Sequence, residues 1–217
     1  EDAAQSFGSR YYDKKSCNLS NLSCTSFFPA KPLGCYGDGG AIFTNNEKLY
    51  KKLISIRVHG QGQNKYDNIN LGINGRLDTI QAAILIEKLK IFKKEAILRK
   101  KVANKYMSLL ENYFTFQYIP ENYQSVWAQF SLLVDNNSSR KKIMEYLKNK
   151  NIPTAIYYPK PLHMQPPFQD IAINYRTSLC ISEEISERIF SIPMHPYLTD
   201  KEINKICNTL IEAKNEL

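Results

Sequence analysis

Lys31 is the residue whose setting most suggests chemistry. It stands between Pro29 and Pro32, after the strand-like run 22–28 and before a loop carrying Gly34, Gly37, Gly39 and Gly40. A lysine held by prolines and partly desolvated can lose its proton near neutral pH and attack a carbonyl as a free amine. Two other segments bring chemistry-bearing types. Residues 1–8, EDAAQSFG, supply Asp2 and Gln5, and residues 73–78, INGRLD, supply Asn74, Arg76 and Asp78. Ser26 lies five residues before Lys31.

Pyridoxal phosphate chemistry needs a lysine for the aldehyde, an acid beside the pyridine nitrogen and donors for the phosphate. Lysine, aspartate, serine and asparagine are all present. Each also has an ordinary reading. A lysine in a proline–glycine loop is usually a solvated cation, Asp2 alone a cap or an exposed acid, Ser26 a strand residue and Asn74 a turn former. Residue types alone do not assemble them into one site.

The elements that must position these residues follow from patterning. The run 22–28 reads as a strand that delivers Ser26 and Lys31, and ligands in α/β sheets sit beyond the carboxyl ends of such strands. Residues 41–44 read as a second short strand. Asn45 or Asn46 caps a helix from 47 to about 57 with Leu49, Leu53, Ile54 and Ile56 apolar. Residues 58–76, rich in Gly, Asn and Gln, read as a long loop of the kind that often carries function. A long helix starts near Leu77, with Ile80, Ile84, Leu85, Leu89, Phe92 and Ile97 at helical spacing, and continues to about Leu110. Beyond it, 126–134 alternates like a strand, Asn137 or Ser138 caps a helix to about 150, and 152–168 is extended and proline-rich. A helix covers about 183–190, and Thr199 with Asp200 caps the last one. The pattern predicts α/β in the first part and α+β in the second.

The 217 residues are 43% hydrophobic, which suits a packed core. No apolar run approaches the roughly 20 residues of a membrane helix, and the start has no signal-peptide pattern. A soluble, cytoplasmic protein is expected, with no membrane partner. Five cysteines, an odd number without C-x-x-C spacing, argue against a disulfide framework or a metal site. The net charge of +8 comes mostly from lysines scattered over helices. No nucleic-acid motif accompanies it, so no nucleic-acid partner is expected.

The segments 1–8, 25–46 (TSFFPAKPLGCYGDGGAIFTNN), 57–62 (RVHGQG) and 73–85 (INGRLDTIQAAIL) resemble the DegT/DnrJ/EryC1/StrS family of sugar aminotransferases. So do 157–168 (YYPKPLHMQPPF) and 182–203 (SEEISERIFSIPMHPYLTDKEI), in the family's order along essentially the whole chain. The resemblance implies an α/β, aspartate-aminotransferase-like fold of type I using pyridoxal 5'-phosphate. Residues 1–90 would be the C-terminal part of the large domain, 91–112 a connecting helix and 113–217 a small α+β domain. The activity implied is transfer of an amino group, from glutamate, to a nucleotide-linked keto-sugar in polysaccharide or surface-glycan biosynthesis.

By this resemblance Lys31 would be the catalytic lysine that holds the cofactor and shuttles protons. Asp2 would pair with the pyridine nitrogen, Gln5 would contact the region of the ring oxygen, and Ser26 would bind the phosphate. Asn74 would reach the phosphate of the neighbouring subunit of a homodimer. Tyr158 and His163 would lie near the sugar-nucleotide pocket, with His59 a weaker candidate. Relatives that dehydrate sugars carry histidine in place of the lysine, so Lys31 favours transamination. The resemblance also implies a segment ahead of residue 1, with early strands, a phosphate-binding turn and an aromatic that stacks on the ring. Two expectations follow. The chain is part of a working aminotransferase, or it is the product of a truncated or split gene, inactive alone, that pairs with a complementary N-terminal half.

Overall fold

The computed structural model describes residues 1–168 and 179–216. The chain divides into two compact units, residues 1–97 with 119–128, and residues 98–118 with 129–217.

In the first unit, strand β1 (Arg10–Tyr11) pairs antiparallel with β2 (Lys14–Lys15) and, on its other edge, with β6 (Tyr123–Gln124). Strand β3 (Ser23–Ser26) pairs antiparallel with β4 (Gly40–Phe43), Ser26 opposite Gly40. Helix α1 (Glu47–Arg57) follows, with the Asn46 side chain accepting from the Leu49 amide as its cap. Phe27, Leu33, Cys35 and Leu85 form a buried cluster, joined by Phe7, Ala41, Leu77 and Phe92. Phe7 sets its ring 6.3 Å from Phe27 and 5.4 Å from Phe92, so the segment that carries Asp2 is packed onto the strand that leads to Lys31.

Helix α2 (Thr79–Leu110) contributes residues to both units. Leu85 is buried in the first, and Val102, Ala103, Tyr106 and Leu110 are buried in the second. Ile80, Leu89 and Ile97, expected on its apolar face, are exposed. Helical spacing registers which residues share a stripe and cannot say whether anything covers it.

The second unit is built on the sheet β5–β7–β8, with β5 at Thr115–Phe116, β7 at Phe130–Leu133 and β8 at Ile189–Ile192. Helix α3 (Asn137–Asn149), α4 (Cys180–Arg188) and α5 (Asp200–Asn215) accompany it. Phe130, Leu132, Ile143, Leu147, Phe190 and Leu210 are fully buried here. Three expectations are corrected. The strand read at 126–134 is only Phe130–Leu133, because Trp127 turns into the left-handed region at φ 53. The helix read at 183–190 runs from Cys180 to Arg188 and gives way to strand β8, which puts Phe190 opposite Leu132 on β7. The cap of α3 is Asn136, whose side chain accepts from Ser139, one residue before the expected position.

Candidate functional site

The site begins with backbone pairing. Asp2 forms a parallel bridge with Cys24 of β3. The Cys24 amide donates to Glu1 O at 2.9 Å, and the Ala3 amide donates to Cys24 O at 2.7 Å. The Thr25 hydroxyl adds a buried bond to Ala3 O at 2.9 Å. Side chains alternate along a strand, and residues bridged in parallel share a face. Ser23 and Thr25 are buried on one face, and Asp2, Cys24 and Ser26 belong to the other. An acid and a hydroxyl are thus set along one rail. The Asp2 carboxylate accepts the Ala4 amide at 3.0 Å, and the Ser26 hydroxyl accepts the Phe28 amide at 3.2 Å.

The rail runs into the loop that holds Lys31. The Cys35 amide donates to Phe27 O at 2.8 Å and closes residues 28–34 into a compact turn, and the Cys35 thiol donates to the same carbonyl at 3.0 Å. Inside it the Lys31 amide donates to Phe28 O at 2.9 Å. Gly34 passes so close to the other limb that a Cβ there would lie 2.4 Å from Pro29 O. The prolines fix one limb and the glycine admits the other, which leaves the Lys31 side chain half-buried at the tip. The glycine loop beyond is braced from α2. The Tyr36 amide donates to Gln81 Oε1, and Gln81 Nε2 donates to Tyr36 O, each at 2.8 Å. Lys88 donates its ammonium to Gly34 O.

Gln5 follows Asp2 in the turn after the bridge and is half-buried. Asn74 is brought next to the end of α1 by the 58–75 segment, which folds back on itself instead of running as an open loop. The Ile73 amide donates to Ile56 O and the Gly75 amide to Arg57 O, both at 2.8 Å, and Asn74 forms an antiparallel bridge with Val58. The reversal is made at Gly60, with φ 76, where a Cβ would lie 1.7 Å from Asn70 O. The Asn74 side-chain Oδ1 accepts from Arg76 Nε at 2.9 Å. His59 also has positive φ, 60°, and its amide donates to Ile73 O, so it helps shape this segment.

Tyr158 and His163 belong to the second unit. Tyr158 is exposed, its ring centroid 5.7 Å from that of Tyr157. His163 Nε2 is 2.9 Å from Glu183 Oε1 on α4, so a carboxylate holds this imidazole in place.

Two features were not read from the sequence. Glu1 is the more consequential. Its Oε1 accepts the Ser16 hydroxyl at 3.0 Å and the Cys17 amide at 2.9 Å, and its Oε2 accepts the Leu19 amide at 3.2 Å and the Ser23 hydroxyl at 2.9 Å. Burial pushes this carboxyl up, and the four hydrogen bonds outweigh it and hold the group below the usual carboxylate value. The only sequence sign of this was its position beside Asp2. The second feature is a cavity of about 900 Å³, lined largely by apolar side chains including Phe43, Tyr50, Leu53, Ile54 and Ile73. None of Asp2, Gln5, Ser26, Lys31 or Asn74 lines it. It lies beside β4 and α1 and reaches Cys24 and Thr25 of β3.

Among the described residues no group of three or more His, Cys, Asp or Glu side chains is placed to hold a metal ion, and no helix is long and apolar enough to cross a membrane. An acid bridged to a strand, a hydroxyl on that strand and a lysine in the turn after it are residue types that fit an anionic, aldehyde-bearing heterocycle.

The chain is 47% identical over 211 residues to a UDP-2-acetamido-2-deoxy-3-oxo-D-glucuronate aminotransferase of Pseudomonas aeruginosa, covering 97% of this chain and 56% of that protein. Among solved structures it superposes with TM-score 0.91 on a DegT DnrJ EryC1 StrS aminotransferase from Brucella abortus, 41% identical, covering 98% of this chain and 56% of that one. It superposes equally, at 0.91 and 28% identity, on S. venezuelae DesV in complex with a ketimine intermediate, covering 99% of this chain and 57% of that one. The chain spans little more than half the length of the curated relatives it matches. Its architecture is the mixed α/β, aspartate-aminotransferase-like fold of type I, of which it covers part. The family profile matches residues 1–211, and the chain belongs to the DegT/DnrJ/EryC1/StrS aminotransferase family.

Proposed function

We propose that the chain carries the lysine-bearing portion of a pyridoxal-phosphate-dependent aminotransferase acting on a nucleotide-linked keto-sugar, with glutamate as amino donor and a surface glycan as the destination of the product. The observation that carries this reading is the parallel bridge of Asp2 with Cys24. It sets Asp2 and Ser26 on one face of a strand whose next turn presents Lys31. Bound there, pyridoxal phosphate supplies an electron sink that makes the hydrogen on the carbon bearing the amino group acidic. Asp2 holds the proton on the pyridine nitrogen, Ser26 donates its hydroxyl to the phosphate, and Gln5 stands near the ring oxygen. Lys31 Nζ would hold the cofactor and would serve as the base that carries the proton taken from the substrate carbon bearing the amino group. Asn74 donates to the phosphate of a neighbouring subunit, which makes the working form a homodimer. Tyr158 and His163 contribute to the sugar-nucleotide pocket. The substrate class is supported by the names of the relatives, which act on nucleotide-linked sugars.

Cofactor absorbance tests the reading. Full-length gene product incubated with pyridoxal phosphate and desalted retains a visible band, and Lys31→Ala loses it. A band of equal strength in Lys31→Ala contradicts the assignment.

A further inference from the structure

We propose that Glu1 is a positioning residue for Asp2, holding the acid's backbone against β3 through the loop at 16–23. The inference rests on the cofactor reading above and extends it to a residue with no role in it.

The Asp2 carboxylate has little to fix it directly. Among the described residues its one side-chain bond is to the Ala4 amide, two positions along. Its location is therefore that of its backbone, which is held by the bridge to Cys24, by the Thr25 hydroxyl at Ala3 O and by the anchored Glu1 side chain. All four bonds to the Glu1 carboxylate come from one stretch, two from Ser16 and Cys17 and two from Leu19 and Ser23. Ser23 is fully buried at the start of β3 and directly precedes Cys24, the residue bridged to Asp2. The carboxylate is thus a cross-brace between the Asp2 segment and the strand.

The loop is shaped to receive an anion. Cys17 stands at φ 70, in the left-handed region that a non-glycine residue rarely adopts, and its amide is aimed at Glu1 Oε1. The Ser16 hydroxyl, which reaches the same oxygen, lies 2.7 Å from the Ser6 hydroxyl and so ties the brace to the far end of the Asp2 segment. Charge-assisted bonds of this kind are stronger than neutral ones. Neighbouring side chains on an extended segment point to opposite faces, so a Glu1 side chain anchored towards the loop commits Asp2 to the cofactor face.

The test is a double-mutant cycle on full-length gene product, reading pyridoxal phosphate affinity by absorbance titration of the apoprotein, with thermal unfolding alongside. Glu1→Gln keeps the shape and removes the charge. It weakens pyridoxal phosphate binding about tenfold when Asp2 is intact, by analogy with outer partners of ligating groups. With Asp2→Asn already made, Glu1→Gln weakens binding less than about twofold, because the group it positions no longer carries charge. Equal weakening in both backgrounds means that Glu1 supports the fold in general and overturns the proposal, as does unchanged affinity in Glu1→Gln. Unchanged affinity in Asp2→Asn overturns the cofactor reading itself and this inference with it. Should Glu1→Gln fail to fold, Ser23→Ala, which removes one donor to Oε2, takes its place in the same cycle with the same expected signs.

Discussion

Asp2 and Cys24 face each other across a parallel bridge, flanked by hydrogen bonds of 2.9 and 2.7 Å. This relationship turns residues 22 positions apart into neighbours on one face. It makes Cys24, which is exposed, a reporter for the site. Pyridoxal phosphate seated over Asp2 and Ser26 covers Cys24 and slows its alkylation, whereas the exposed Cys180 in the second unit is unaffected. Peptide-resolved labelling with and without cofactor reads the difference. Equal rates at Cys24 in both conditions would place the cofactor elsewhere. Cys207, buried and with its thiol pushed up to about 12 by burial, labels only on unfolding and serves as the internal control.

Gly34 admits the close pass of the two limbs of the lysine turn. In Gly34→Ala the new Cβ must escape a 2.4 Å approach to Pro29 O, and the obstacle is backbone that cannot swing aside. The expected cost is about 1–3 kcal/mol of stability, as for other overpacked positions. Displacing Lys31 by an ångström costs activity about a hundredfold. Denaturant unfolding and steady-state rates together check this, and a variant with wild-type rate would show that the turn does not locate the lysine.

Helix α5 is closed at its start by a capping box. The Thr199 hydroxyl accepts the Glu202 amide at 3.3 Å, and the Thr199 amide donates to Glu202 Oε2 at 2.7 Å. Thr199→Ala costs about 1 kcal/mol at neutral pH. The bonds from the Thr199 hydroxyl and amide lower the Glu202 pKa from its ordinary 4.5. A carboxyl whose folded pKa is depressed stabilises above its unfolded value, and that part is lost as pH falls through the folded one. The gap between wild type and Thr199→Ala therefore narrows below about pH 4.5, as chemical denaturation across pH would show. A gap that widens in acid would contradict the role of the carboxylate.

The legibility of the chain follows the range of each interaction. Helix α1 and its Asn46 cap are local, and the strand leading to Lys31 and the capping box at Thr199 are too, so each could be read from adjacent residues. Strand β8 could not. Residues 189–192 continue a helical spacing, and only pairing with β7, some 59 positions away, draws them out as a strand. The buried and exposed faces of α2 were equally illegible, because a stripe of isoleucines is the same whether or not a neighbour covers it. In the site, Lys31 and Ser26 were legible as types in a local frame. The alignment of Asp2 with Cys24 and the brace at Glu1 depend on a register that sequence spacing does not encode.

Lys31 as the residue that holds pyridoxal phosphate is tested most directly by trapping. Full-length gene product loaded with the cofactor is reduced with borohydride, digested and mapped by mass spectrometry. The predicted result is a phosphopyridoxyl group on the peptide that contains Lys31 and on no other lysine. A label on a different lysine, or an unlabelled Lys31 peptide from protein that retains cofactor absorbance, would contradict it.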